Sequence, residues 1–78
     1  LETKVFPNPA GETLNLQFER SVQAGLSIFS RDGRRVITTN VSGNEAKVDV
    51  RHLPAGQYFF SLTENNARLS NGSFMISK

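Results

Sequence analysis

The sequence contains no cysteine and no tryptophan among its 78 residues. Without cysteine, no disulfide can stabilise the fold and no thiolate can bind a metal or attack a substrate. Nine basic and seven acidic residues give a net charge of +2, which is too small to indicate a nucleic-acid partner. The longest apolar runs, such as Tyr58-Phe59-Phe60, are far below the ~20 residues of a membrane helix, so we expect no membrane span.

The residues that could carry chemistry are isolated from one another. His52 is the only histidine, and the nearest carboxylate in the sequence is Asp49. A catalytic histidine needs a nucleophile or carboxylate within hydrogen-bond reach, and one histidine with scattered carboxylates does not form a metal site. We therefore expect His52 in a surface turn, Asp32 in a turn rather than acting as a base, and no enzyme activity, metal or cofactor.

Apolar and polar residues alternate along several short segments, as they do in a β-strand with one wet face. We assign about seven such strands, at residues 4–6, 13–19, 26–29, 34–41, 46–51, 57–62 and 67–78. Short strands at this spacing, with no segment of helical period, predict an all-β, immunoglobulin-like antiparallel β-sandwich.

The strand that contains Tyr58, Phe60 and Leu62 is the most aromatic, so we expect it at the centre of the core. Pro54 and Gly56 precede it as a tight turn, in which Gly56 adopts a positive φ. The apolar residues of the other strands should face it, namely Leu14, Leu16, Ile28, Val48 and Val50. Replacing Phe60 by alanine should then remove most of the stability of so small a domain.

Glycine, proline and asparagine indicate where the chain turns. Asp32-Gly33 and Asn65-Asn66 predict tight hairpin turns, and we expect further connections at residues 20–23 and 42–44. Pro7-Asn8-Pro9 predicts a stiff corner at a sheet edge, because proline cannot donate to a strand ladder.

The last strand contains a change of phase. Leu69 has an odd number, whereas Phe74 and Ile76 have even ones, so one regular strand cannot direct all three to the same face. Either Asn71-Gly72 holds a bulge that resets the phase, which we favour, or Leu69 points away from the core.

Four blocks of the sequence, in this order, carry a resemblance to a known family. They are Val5-Phe6-Pro7-Asn8-Pro9 with Leu14-Asn15-Leu16; the hairpin from Leu26 to Val36; the turn Leu53-Pro54-Ala55-Gly56-Gln57-Tyr58; and the ending Ser73-Phe74-Met75-Ile76-Ser77-Lys78. Together they resemble the C-terminal sorting domains of type IX secretion, and most closely the type A domain, the Por secretion tail. The family motif and turn positions are Pro7, Asn8, Pro9, Asp32, Gly33, Leu53, Pro54, Gly56 and Tyr58.

The resemblance implies that the domain is an address for an attached cargo. It implies as partners a type IX translocon, an outer-membrane shuttle protein, a surface sortase-like peptidase that usually removes the domain, and an upstream cargo domain in the same chain. The implied location is the periplasm in transit to the outer membrane, cell surface or extracellular space of a Gram-negative bacterium. We assign residues 4–78 to the sorting domain and residues 1–3 to a linker remnant. The chain begins at Leu1 and its only methionine is Met75, so we expect it to be a piece of a longer protein.

We expect the translocon to recognise the last strand. Phe74 and Ile76 should anchor it in the core, while Met75, Ser77 and Lys78 face outward. A terminal strand at a sheet edge has unpaired backbone groups that can add to a partner's sheet. The proposed recognition residues are Ser73, Phe74, Met75, Ile76, Ser77 and Lys78.

An immunoglobulin- or fibronectin-like adhesion or carbohydrate-binding module is the alternative function. Such a module needs an exposed aromatic platform, for which Phe29 and Phe59 are the candidates. Arg31, Arg34 and Arg35 form a small basic group at one hairpin, which we interpret as a solvated edge that resists mispairing.

Overall fold

A computed structural model describes residues 1–7 and 10–77, and the described residues form an all-β fold, as the sequence predicted. Five strands follow one another along the chain: β1 (Thr3–Phe6), β2 (Thr13–Ser30), β3 (Arg35–Asp49), β4 (Gly56–Glu64) and β5 (Ala67–Ile76). No helix among these residues is long and apolar enough to cross a membrane.

The five strands form a single antiparallel sheet around the long strand β2. β3 pairs with both halves of β2, while β1 pairs with the first half and β4 with the second. Because β3 occupies one edge of β2, β1 and β4 follow each other along its other edge, and β5 then pairs with β4. The sheet curls, so that both halves of β2 direct their apolar face to one core.

The expected connections at residues 20–23 and 42–44 are wrong, and this is why five strands are found where about seven were predicted. Residues 18–21 of β2 lie opposite the single residue Asn44 of β3, in a large bulge between the pairs Gln17–Glu45 and Val22–Gly43. Gly43 has a φ of 105° in this bulge. A bulge bends a strand and interrupts its regular pairing without ending it, so the polar residues and glycine at the bulge resemble a turn in the sequence. One curled sheet thus takes the place of two separate sheets.

The inner face of β2 supplies the largest part of the core. Its buried residues all have even numbers: Leu14, Leu16, Phe18, Val22, Ala24, Leu26 and Ile28. Tyr58, Phe60 and Leu62 of β4 are buried in the same cluster, together with Val48 and Val50. The burial of the predicted core residues is confirmed: Leu14, Leu16, Ile28, Val48, Val50, Tyr58, Phe60 and Leu62. Val22 and Ala24 are additional core residues, because the segment that was expected to be a connection is part of β2.

The predicted tight turns are confirmed by their backbone angles. Gly33 has a φ of 89° and Gly56 a φ of 152°, values that L side chains rarely adopt. Asn65 and Asn66 both have positive φ, 51° and 66°, which is the pattern of a type I′ hairpin turn. Pro7 is exposed and directly follows β1. Because β1 is the terminal strand in the order of the sheet, Pro7 lies at a sheet edge, as predicted. Asn8 and Pro9, the rest of the predicted corner, lie outside the described residues.

The change of phase in β5 is a bulge, but it lies at Leu69 and not at Asn71-Gly72. Leu62 pairs with Ser70 and Thr63 pairs with Arg68, so Leu69 is the extra residue. Its side chain is half-buried and packs against the core.

Gly72 has a different role from the one predicted, because it makes room for an aromatic ring. It lies opposite Phe60 on the neighbouring strand. A Cβ atom added at Gly72 would lie 2.8 Å from Cε1 of Phe60, closer than real Cβ contacts come, and 3.0 Å from Cζ. A glycine within a strand often marks such a close approach.

We expect Phe60→Ala to destabilise the domain by about 3–5 kcal/mol, because its side chain is 4% exposed at the centre of the core. Thermal and denaturant unfolding measure the change. The matched control is Phe59→Ala on the neighbouring outward position, where the ring is 39% exposed and a much smaller loss is expected. Equal losses for the two variants would show that the faces of β4 are assigned wrongly.

We expect Gly72→Ala to destabilise the domain by about 1–3 kcal/mol through overpacking against Phe60. The additional loss should shrink in a Phe60→Leu background, where the ring atoms are absent. Gly11→Ala is the control, since a Cβ there would meet no atom within 4 Å. Denaturant unfolding of the wild type, Gly72→Ala, Phe60→Leu and the double variant forms a double-mutant cycle. A stability loss for Gly72→Ala no larger than that for Gly11→Ala would contradict the packing described.

Candidate functional site

The end of β5 presents two different faces, as the sequence predicted. Phe74 and Ile76 are buried, and the Phe74 ring stacks on Tyr58 with 5.9 Å between ring centroids and 21° between planes. Ser73, Met75 and Ser77 are exposed on the other face. Lys78, the last of the expected recognition residues, lies outside the described residues.

At the end of β5, the backbone edge that faces away from β4 is already hydrogen-bonded. This limits recognition by addition of a partner strand. Ala10 forms a parallel bridge with Ile76. The Ala10 amide donates to the Met75 carbonyl at 2.8 Å, and the Ser77 amide donates to the Ala10 carbonyl at 2.9 Å. A partner strand would have to displace Ala10 in order to pair with residues 75–77.

The other end of β5 is held by the first residues of the chain. The backbone nitrogen of Leu1 donates to the Leu69 carbonyl at 3.1 Å, and the Thr3 hydroxyl donates to the Ser70 hydroxyl at 2.9 Å. Between these contacts and Ala10, residues 71–74 pair with β4 as their only partner strand in the described part of the chain. The part of the β5 edge that remains for a partner strand is therefore four residues long, residues 71–74.

The turn from Leu53 to Tyr58 is closed by its own side chains. The Leu53 side chain is buried, and its amide donates to the Val50 carbonyl at 3.1 Å. The Tyr58 ring is buried, while its hydroxyl donates to the Pro54 carbonyl at 2.7 Å. The motif Leu-Pro-x-Gly-x-Tyr thus fixes the path of the chain into β4. Sequence analysis missed this hydroxyl; the signal was a single tyrosine in a chain whose other aromatic residues are all phenylalanine.

Asp32 is a turn residue and is not placed to act as a base. The Ser30 hydroxyl donates to its carboxylate, and this bond, followed by backbone hydrogen bonds, lowers the pKa of Asp32. The hairpin is closed by the Gly33 amide, which donates to the Ser30 carbonyl at 2.9 Å, and by the Ser30 amide, which donates to the Arg34 carbonyl at 2.8 Å.

Asp49 forms an ion pair with Arg51 instead of supporting His52. Nη2 of Arg51 lies 3.0 Å from Oδ2 of Asp49, and the Nε and backbone amide of Arg51 both donate to Oδ1. These bonds lower the pKa of Asp49 to about 2 and raise that of Arg51. His52 is exposed in the turn after β3, so the predicted surface position holds.

The two outward phenylalanines are neighbours on the outer face of the sheet. Phe29 of β2 lies directly opposite Phe59 of β4, and Phe59 is 39% exposed. The guanidinium of Arg35 lies over the Phe29 ring, 5.5 Å from its centroid, so one face of that ring is covered. Arg31 and Arg34 are exposed at the adjoining hairpin.

Comparison with models of known protein families matches residues 4–77 to the model described as "Secretion system C-terminal sorting domain". The match includes the four blocks on which the resemblance was based, except for Lys78. A search of curated proteins finds no match.

We expect the carboxyl group of Asp49 to titrate at a low pKa because it is paired with Arg51. The folded pKa of Asp49, about 2, lies below its ordinary value of 3.8, so the contribution to stability is present above about pH 4 and is lost as the pH falls through about 2. Both side chains are exposed, so the contribution is small. NMR titration of the carboxyl carbon measures the pKa, which should return toward 3.8 in Arg51→Ala but not in Arg31→Ala. A wild-type titration at the ordinary value would contradict the pairing.

Proposed function

Because the chain belongs to the family of C-terminal sorting domains of type IX secretion, we propose that it directs an attached cargo through the outer-membrane translocon of that system. The family is one of sorting signals and not of enzymes. The cargo then reaches the cell surface or the medium, and a surface sortase-like peptidase removes the domain.

The observation that carries this proposal is the extent of the family match. Residues 4–77 include four of the five strands in full and all but the first residue of β1. The unit that the family shares is therefore the whole folded sheet, and we propose that the translocon recognises a folded domain and not an extended tail alone.

Within this domain, we propose that the end of β5 contributes to recognition mainly through outward side chains. Ala10 bonds to the backbone at Met75 and Ser77, whereas Ser73, Met75 and Ser77 are exposed. Buried Phe74 and Ile76 hold the strand in place, and so support recognition indirectly. The expectation for Lys78 stays a prediction from the sequence.

An adhesion or carbohydrate-binding role gains less support from the outer face. A sugar stacks on the open face of an aromatic ring, but Arg35 already covers one face of Phe29. Of the two rings, Phe59 is 39% exposed, whereas Phe29 is half-buried.

We expect residues 1–78, fused after a periplasmic reporter, to bring that reporter to the surface or medium of a bacterium with a type IX system. An isogenic strain without the translocon should retain the reporter in the periplasm, as should the wild-type strain when the reporter lacks the domain. Fractionation with an activity assay measures the distribution. Periplasmic retention of the intact fusion in the wild-type strain would show that the proposed function is wrong.

Variants of the tail in the same assay separate folding from recognition. Phe74→Ala should unfold the domain and abolish export together, since the side chain is 1% exposed. Removal of residues 77–78 should reduce export strongly while the domain stays folded. Ser77→Pro is the matched control, because it removes the amide that donates to Ala10 but keeps Lys78. Export of the truncated domain at the wild-type level would show that these two residues are not recognised.

A further inference from the structure

A row of side chains crosses four strands on the outer face of the sheet, away from the core. Arg35 of β3 lies opposite Phe29 of β2, and Phe29 lies opposite Phe59 of β4. Met75 of β5 is opposite Gln57, two residues before Phe59, which makes it the diagonal neighbour of the Phe59 ring. We name Phe29, Phe59 and Met75, with Arg35 at one end, the outer stripe.

The outer stripe exposes apolar surface that the fold does not use for its core. Phe59 is 39% exposed and Met75 45%; among the described residues one other large apolar side chain is as exposed, that of Phe6 at 46%. The core lies on the opposite face, where Tyr58, Phe60 and Leu62 are buried. Single exposed apolar residues are ordinary, but contiguous ones indicate an interaction surface.

A net positive charge lies beside the outer stripe. Arg31, Arg34 and Arg35 are exposed at the hairpin between β2 and β3. Over residues 1–7 and 10–77, the ion pair within 4.0 Å is that of Asp49 with Arg51, so none of the three arginines has one. The carboxylate of the hairpin itself, Asp32, accepts a hydrogen bond from Ser30 and interacts electrostatically with Arg34, so three arginines share one carboxylate and the hairpin stays positively charged. An occupant that supplies carboxylates would therefore be complementary in charge.

We propose that the outer stripe is a docking surface for an acidic segment of a protein of the secretion machinery. An aromatic or aliphatic side chain of that segment packs on Phe59 and Met75, and a neighbouring carboxylate binds Arg35. Phenylalanine, methionine and arginine are enriched in protein interfaces, and methionine adapts its shape to a partner surface. The proposal rests on the proposed function, because it concerns which surface of the sorting domain its machinery contacts.

The first experiment measures export of the reporter fusion with substitutions that preserve strand propensity. Phe59→Thr, Met75→Thr and Arg35→Glu should each reduce export at least tenfold, while the unfolding temperature of the domain stays within a few degrees of the wild type. The matched controls are Phe6→Thr, an equally exposed phenylalanine on β1, and Arg20→Glu, the same charge reversal in the β2 bulge; both should export at the wild-type level. If Phe59→Thr unfolds the domain, the exposed positions Met75 and Arg35 still decide the result.

Each outcome of this experiment bears on one proposal. Wild-type export of stable Phe59→Thr and Arg35→Glu variants, with an active wild-type fusion, overturns the outer stripe and leaves the sorting function intact. Failure of the wild-type fusion itself overturns the sorting function and the outer stripe with it. Equal losses in the stripe variants and their controls show a general loss of folding or charge, which also overturns the proposal.

The second experiment tests the chemistry of the occupant on the isolated domain, residues 1–78. The probe is a pentapeptide of alternating aspartate and phenylalanine, and the control peptide has lysine in place of aspartate. NMR titration should show shifts centred on the outer stripe, with at least tenfold weaker binding of the lysine peptide and weakening with salt. Equal affinity for the two peptides overturns the charge argument. Saturable shifts at Phe59 with maltotriose, but none with the acidic peptide, overturn the proposal in favour of a sugar platform.

Discussion

Burial of the inner face of β2 depends on the bulge that bends it. Residues 18–21 lie opposite Asn44 alone, and the strong local twist of such a bulge lets one sheet curl over its own apolar face. Without the bend, Leu14 and Leu26 would lie on the same face of β2 but about 40 Å apart, too far to share one core. A chain without cysteine has no disulfide to replace this packing, so each strand depends on the shared core.

The alternation of apolar residues predicted the buried faces of β2 and β4 correctly. It could not distinguish a turn from a bulge, because both interrupt the alternation in the same way. Alternation identified Tyr58 and Phe60 as buried, because a slip of one residue would expose both. The break in alternation around Gly43 suited either a turn or a bulge, and only the pairing of β3 with both halves of β2 distinguishes them. The single tyrosine among phenylalanines indicated a hydroxyl with a partner, but the identity of that partner, the Pro54 carbonyl, depends on the path of the turn and could not be predicted.

The most recognisable motif of the chain and its proposed recognition surface belong to opposite faces of the sheet. Leu53 and Tyr58 are buried and close a turn, so they explain how β4 is positioned. Phe59 lies one residue further and points outward. β4 therefore carries both a residue that closes the turn and a residue of the proposed docking surface. Because side chains alternate along a strand, the two neighbouring residues lie on opposite faces of the sheet.

The bonds between Ala10 and residues 75–77 join a segment near the beginning of the described chain to the end of β5. Ala10 follows the first strand, yet its amide and carbonyl bond to Met75 and Ser77, and Ile76 fills the core beside it. Because residues 75–77 are synthesised last among those described, a growing polypeptide cannot form these contacts until nearly all of the described residues have been added.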